Sequence, residues 1–112
     1  MKVVLFIVML SVSSAGWAQF FDGNKLLALC TSPQASYDDG RCLGFIVGVA
    51  DSIVASVNRR EIGRRICMPR TVTDARLKAV VVDYLRLVPQ LRGYVATFLV
   101  EMALRGKYPC GT

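Results

Sequence analysis

The chain has 112 residues, a formal net charge of +6, four cysteines and no histidine. That length holds one domain, and the missing histidine excludes Ser-His-Asp and Cys-His catalysis and the usual proton shuttle near neutral pH. With 54% hydrophobic residues there is material for one core, in a domain small enough that covalent staples add usefully to it.

Residues 1–18 read as a targeting segment. Lys2 supplies the positive start, residues 3–12 the apolar run, and Gly16-Trp17-Ala18 the small residues that flank cleavage. The expected organisation is therefore a signal peptide, 1–18, and a single helical domain, 19–112. All four cysteines, Cys30, Cys42, Cys67 and Cys110, fall in that domain. An even count in an exported chain reads as two disulfides. A zinc site would need four isolated thiolates, because the chain has neither histidine nor a Cys-x-x-Cys pair. No metal and no cofactor are expected, and paired cysteines offer no thiolate nucleophile.

Phe20 and Phe21 open the domain as an apolar lead. Asp22 or Asn24 can cap a short first helix over 25–30. Residues 31–40 are a loop by composition. The second helix, over 41–58, is the stretch the fold is organised around. Cys42, Leu43, Ile46, Val47, Val49, Ala50, Ile53, Val54 and Val57 cover one broad arc at 100° per residue. Gly44, Gly48, Asp51, Ala55 and Asn58 make the other. Glycines inside a helix cost roughly 1 kcal/mol each against alanine, so Gly44 and Gly48 predict close approach of a second helix. Asp51 has no basic residue three or four positions away. It is expected to be at least partly buried and paired with a donor from another segment. A membrane span is the competing reading of this stretch, disfavoured because it is short and carries Asp51 inside.

Residues 58–70 follow, with Arg59, Arg60, Arg64, Arg65 and Arg70. The arginines suit either a solvated connection or a recognition segment, since guanidinium forks bind carboxylates well. Nucleic acid is disfavoured by the shortness of the cluster and its lack of interleaved aromatics. Thr73 caps the third helix, Asp74 favours its positive end and Val72 can staple onto Leu77. That helix runs to Val88, with Leu77, Val80, Val81, Tyr84, Leu85 and Val88 as its buried stripe, and Pro89 stops it. The fourth helix is expected over 90–105, burying Leu91, Tyr94, Val95, Phe98, Leu99 and Met102. Its second apolar side, Gly93, Val100 and Leu104, predicts a homodimer. The fold class is all-α, with four to five helices stapled by two disulfides.

The order Cys30, then C-L-G-F-I-V-G-V-A-D (42–51), I-C-M-P (66–69), Val72-Thr73, Tyr84-Leu85, Pro89 and Y-P-C (108–110) resembles the Rap/Tai family of immunity proteins. The match covers nearly the whole exported part; Arg76 stands where the family pattern has glutamine. The family consists of small, exported helical proteins that protect bacteria against type VI secretion amidase effectors. The resemblance implies a non-enzymatic periplasmic protein that binds and inhibits a peptidoglycan amidase, with no membrane attachment after cleavage. Arg59, Arg60, Arg64 and Arg65 are the expected partner-binding residues, by charge and exposure alone. The rival reading is a periplasmic carrier or chaperone for an apolar ligand or unfolded client, which predicts an internal cavity. An enzyme using Asp51 is a third reading, opposed by its being a lone carboxylate. With the second helix rising from Cys42, the third descending to Pro89 and the fourth climbing again, Cys67 and Cys110 meet at the top. Cys30 stays beside Cys42. The expected disulfides are Cys30–Cys42 and Cys67–Cys110.

Overall fold

The structure is a computed structural model that describes residues 20–58 and 66–111. It consists of four α-helices and one 3-10 turn: α1 (Gly23–Cys30), α2 (Tyr37–Asn58), α3 (Asp74–Leu87), the turn Pro89–Leu91, and α4 (Ala96–Lys107). The core gathers one side of each helix, and Leu26, Ile46, Ile53, Val81, Leu85, Leu99, Val100 and Leu104 are fully buried in it. Both disulfides form with the expected pairing, Cys30–Cys42 and Cys67–Cys110.

Helix α1 starts where the Asp22 carboxylate accepts from the Lys25 N–H at 2.8 Å, one of the four orphan donors of a first turn. Two more are taken by another part of the chain: Gly23 N–H donates to the Tyr94 carbonyl and Asn24 N–H to the Arg92 carbonyl, both at 3.1 Å. The Ala96 N–H returns to the Phe21 carbonyl at 2.8 Å. These bonds explain why α4 begins at Ala96 and not at 90. The Arg92 and Tyr94 carbonyls are taken by α1, and those of Pro89 and Leu91 close tight turns onto Arg92 and Tyr94 N–H, so residues 89–95 do not form part of the helix.

They also fix the rotation of α4. Its buried side is Ala96, Leu99, Val100, Ala103 and Leu104, whereas Tyr94, Val95 and Phe98, expected inside, are exposed. Val100 and Leu104 are core residues, so a homodimer through Gly93, Val100 and Leu104 is excluded as drawn from the sequence.

Helix α2 begins four residues earlier than the sequence predicted. Ser36 Oγ accepts from Asp39 N–H at 3.1 Å and acts as the cap, and Asp38 and Asp39 lie in the first turn, where the helix dipole favours negative charge. The buried side runs Asp39, Cys42, Ile46, Val49, Ala50, Ile53, Ser56. Leu43 and Val47 are half-buried and Val54 is exposed, so the apolar arc is narrower than expected. The small side faces solvent. Gly44, Gly48 and Asp51 are all exposed, and a Cβ added at Gly44 or Gly48 would meet nothing within 4 Å. The expected close helix contact at these glycines is therefore corrected. Helices α1, α3 and α4 all pack on the other side of α2, which leaves the glycine face at the edge of the bundle. The close approach occurs at Gly23, where a Cβ would lie 2.4 Å from Leu99 Cδ1 and 2.9 Å from Arg92 Cα.

Helix α3 matches its sequence signals. Thr73 Oγ1 accepts from Arg76 N–H at 3.1 Å, Leu77, Val81, Val82 and Leu85 are buried, and Val80, Tyr84 and Val88 are half-buried. Beyond α4, the Tyr108 N–H caps back onto the Leu104 carbonyl at 2.8 Å, and the Tyr108 carbonyl accepts from Cys67 N–H at 2.8 Å. An isolated bridge pairs Ile66 with Pro109. The tail thus holds the start of segment 66–72 with this backbone pairing and a disulfide.

Candidate partner-binding surface

Arg59, Arg60, Arg64 and Arg65 lie outside the described residues. What the structure defines is the segment that follows them in sequence, from Ile66 onward. Between the C-terminal half of α2, segment 66–72 and the start of α3 runs a groove of about 530 Å³. Its walls are largely apolar, from Val47, Ala50, Val54, Ile66, Met68, Val72 and Leu77, with Asp51, Arg70 and Asp74 as the charged members. The Val72 N–H closes a turn onto the Pro69 carbonyl at 3.1 Å, so this wall is a shaped loop and not a loose strand.

Asp51, expected to be a buried structural carboxylate, is exposed on this groove. Among the described residues no hydrogen bond or ion pair reaches it. The buried carboxylate is Asp39, 4% exposed. It binds the Lys78 ammonium of α3 and accepts from the Ala35 N–H at 2.9 Å. Ala35 itself has φ 62°, the left-handed region in which a non-glycine residue is held only when its surroundings determine it. Asp39 therefore clamps the 31–36 loop, which the Cys30–Cys42 disulfide closes, onto α3. The hydrogen bond from Lys78, with that from Ala35, holds the Asp39 carboxyl below its ordinary range, against the opposing effect of desolvation. A downward shift is the reverse of what a general acid or base working near neutral pH requires. Ser36-x-x-Asp39 is a capping pattern, and it was the readable signal for this pair.

A second surface went unread in the sequence. Phe20, Phe21, Phe45, Val95 and Thr97 line a shallow recess of about 200 Å³. Phe21 and Phe45 stack with centroids 5.3 Å apart, and Tyr94 and Phe98 pair at 5.9 Å. The Asp22–Val95 bridge sets the two groups side by side. The adjacent Phe20-Phe21 pair and the four-residue spacing of Tyr94 and Phe98 were the signals available.

Among the described residues, no cluster of three or more His, Cys, Asp or Glu could hold a metal. No helix there is long and apolar enough to cross a membrane. Fold and surface together define a small disulfide-stapled helical domain with an apolar groove and an aromatic recess on its surface. The chain belongs to the Rap1a immunity protein family, whose model matches residues 22–110. No curated protein and no solved structure matched the chain.

Proposed function

We propose that the protein is exported by residues 1–18, and that in the periplasm residues 19–112 bind and inhibit a peptidoglycan amidase effector of a type VI secretion system, without catalysing a reaction. The observation that carries this reading is the immunity-family match over 22–110, which spans both disulfides. Disulfides suit an oxidising compartment, in which the cell wall is also exposed. Arg59, Arg60, Arg64 and Arg65, with the groove walled by segment 66–72, are the proposed contact residues. Segment 66–72 is fixed to the tail by Cys67–Cys110 and the Ile66–Pro109 bridge, and a wall already held in place loses little entropy on binding.

The test is a pull-down with the amidase encoded nearest this gene. Wild-type protein should retain the amidase. Replacing Arg59, Arg60, Arg64 and Arg65 together by alanine should weaken retention while leaving the melting temperature unchanged, the result expected of charges that serve binding and not the core. Undiminished retention by the fourfold variant would move the contact surface elsewhere. The carrier reading keeps one observation in its favour, a largely apolar groove of about 530 Å³, a size that small ligands occupy. It requires an apolar fluorophore to bind there and to compete with a natural ligand co-purified from the periplasm.

A further inference from the structure

The two disulfides sit in opposite surroundings. Cys30 is 4% exposed and Cys42 fully buried, both within the core. Cys67 is exposed and lines the groove, and its partner Cys110 is half-buried. We propose that Cys67–Cys110 is a thiol–disulfide exchange site, and that its reduction frees the groove wall while the helical core stays intact. This inference does not rest on the identity of the effector.

Access supports it first. Exchange begins with attack of an outside thiolate on one sulfur, so its rate follows the reach of that thiolate as well as its chemistry. At Cys67 the attacker arrives from solvent. At Cys30 and Cys42 it arrives only after the core opens, and the 31–36 loop between them is clamped to α3 by Asp39 and Lys78. Opening of a core lies at the costly end of a domain's local fluctuations.

The step balances with a dithiol as reductant, whether dithiothreitol or the Cys-x-x-Cys pair of an oxidoreductase. One thiolate of the dithiol attacks the Cys67 sulfur, forms a mixed disulfide with it and expels the Cys110 sulfur as a thiolate, which takes up a proton. The second thiolate attacks the reductant's own sulfur in that mixed disulfide, displaces Cys67 and closes the reductant's disulfide. Two electrons and two protons pass from the dithiol to the chain, which is left with Cys67 and Cys110 as thiols.

Chain placement supports it second. Of residues 66–72 only Ile66 is buried; Met68 and Val72 are half-buried, and Cys67, Pro69, Arg70 and Thr71 are exposed. The bond from Val72 N–H to the Pro69 carbonyl is internal to the wall. Among the described residues, the wall is tied to the tail by the Ile66–Pro109 bridge, the bond from Cys67 N–H to the Tyr108 carbonyl and the disulfide. An isolated two-stranded pairing is marginal in water, so the covalent link is what keeps the two segments together. The helices meet one another through Leu26, Ile46, Ile53, Val81, Leu85 and Leu99, none of which lies in the wall or the tail. In a reducing compartment the groove of about 530 Å³ lacks one fixed side, and in an oxidising one it is complete.

Limiting dithiothreitol added to the oxidised protein tests the proposal, with new thiols alkylated by iodoacetamide and located by peptide mapping. Cys67 and Cys110 should be labelled roughly tenfold or more sooner than Cys30 and Cys42. When only that pair is labelled, far-UV circular dichroism should be unchanged. Amide hydrogen exchange should then show protection lost at Cys67 N–H and kept at Ile46, Leu85 and Leu99. Equal labelling of the two pairs, or labelling of Cys30 and Cys42 first, overturns the proposal. Loss of the helical signal together with the Cys67–Cys110 bond also overturns it, because the opening would then be global. So does unchanged protection at Cys67 N–H, because the wall would then be held without the bond.

Discussion

Gly23→Ala should destabilise the domain although alanine is the better helix former. Gly23 is the first residue of α1, where the gain in propensity is at most about 1 kcal/mol. Against it, the new methyl would sit 2.4 Å from Leu99 Cδ1, 2.9 Å from Arg92 Cα and 3.0 Å from the Arg92 carbonyl. Leu99 is fully buried and cannot swing away. The Arg92 backbone cannot retreat cheaply either, because its carbonyl accepts from Asn24 N–H at 3.1 Å and from Asn24 Nδ2 at 3.3 Å. Overpacking of this kind costs typically about 1–3 kcal/mol. A net loss of about 1–2 kcal/mol in a domain of this size lowers Tm by roughly 5–15 °C. The control lies in the same protein. Gly44→Ala and Gly48→Ala place a methyl in open space on the exposed side of α2 and should stabilise by about 0.5–1 kcal/mol each. Thermal melts by circular dichroism compare the three variants with wild type. If Gly23→Ala melts at or above the wild-type temperature, the close approach of α1 to the α4 entry is not as described. If Gly44→Ala and Gly48→Ala both lower Tm, those glycines pack against something after all.

The two disulfides should contribute unequally. They close separations of 12 and 43 residues, worth about 3 and about 4 kcal/mol on the chain-entropy account. Chemical denaturation of the paired Cys→Ser variants should show the larger loss for Cys67–Cys110, and an equal or reversed order would put the stabilisation elsewhere than in the unfolded chain. The Asp39–Lys78 pair predicts an acid-sensitive component of stability. Because the folded-state value of Asp39 is depressed, its contribution is present above the ordinary carboxylate value of 3.8 and is lost as pH falls below it. Asp39→Asn should lower Tm at neutral pH and flatten the Tm profile below that value, while Asp51→Asn should do neither. A loss of stability at Asp51 but not at Asp39 would restore the reading made from the sequence.

The parts of the fold legible in the sequence are those set by local signals. Thr73-Asp74 and Pro89 bound α3 within a residue or two, and the helix order brought Cys67 to Cys110. The α4 start was not legible because hydrogen bonds from Gly23 and Asn24, some seventy positions away, decide it. With the start misplaced, the apolar stripe was drawn on the wrong side, and Tyr94 and Phe98 were read as core. Gly44 and Gly48 misled for a different reason: small residues suit a tight helix contact and an open face equally, and periodicity does not separate the two. Asp39 was hidden in a stretch read as loop by composition, although its spacing from Ser36 marked a helix start.

Inhibition measured by titration tests the central claim most directly. The peptidoglycan amidase encoded nearest this gene is purified and mixed with increasing amounts of this protein, and release of peptide from peptidoglycan is followed. Immunity predicts that hydrolysis falls in proportion to added protein and stops near stoichiometric equivalence, with the equivalence point unchanged by further protein. Hydrolysis that continues at the uninhibited rate in the presence of excess protein, correctly disulfide-bonded and folded, would contradict it.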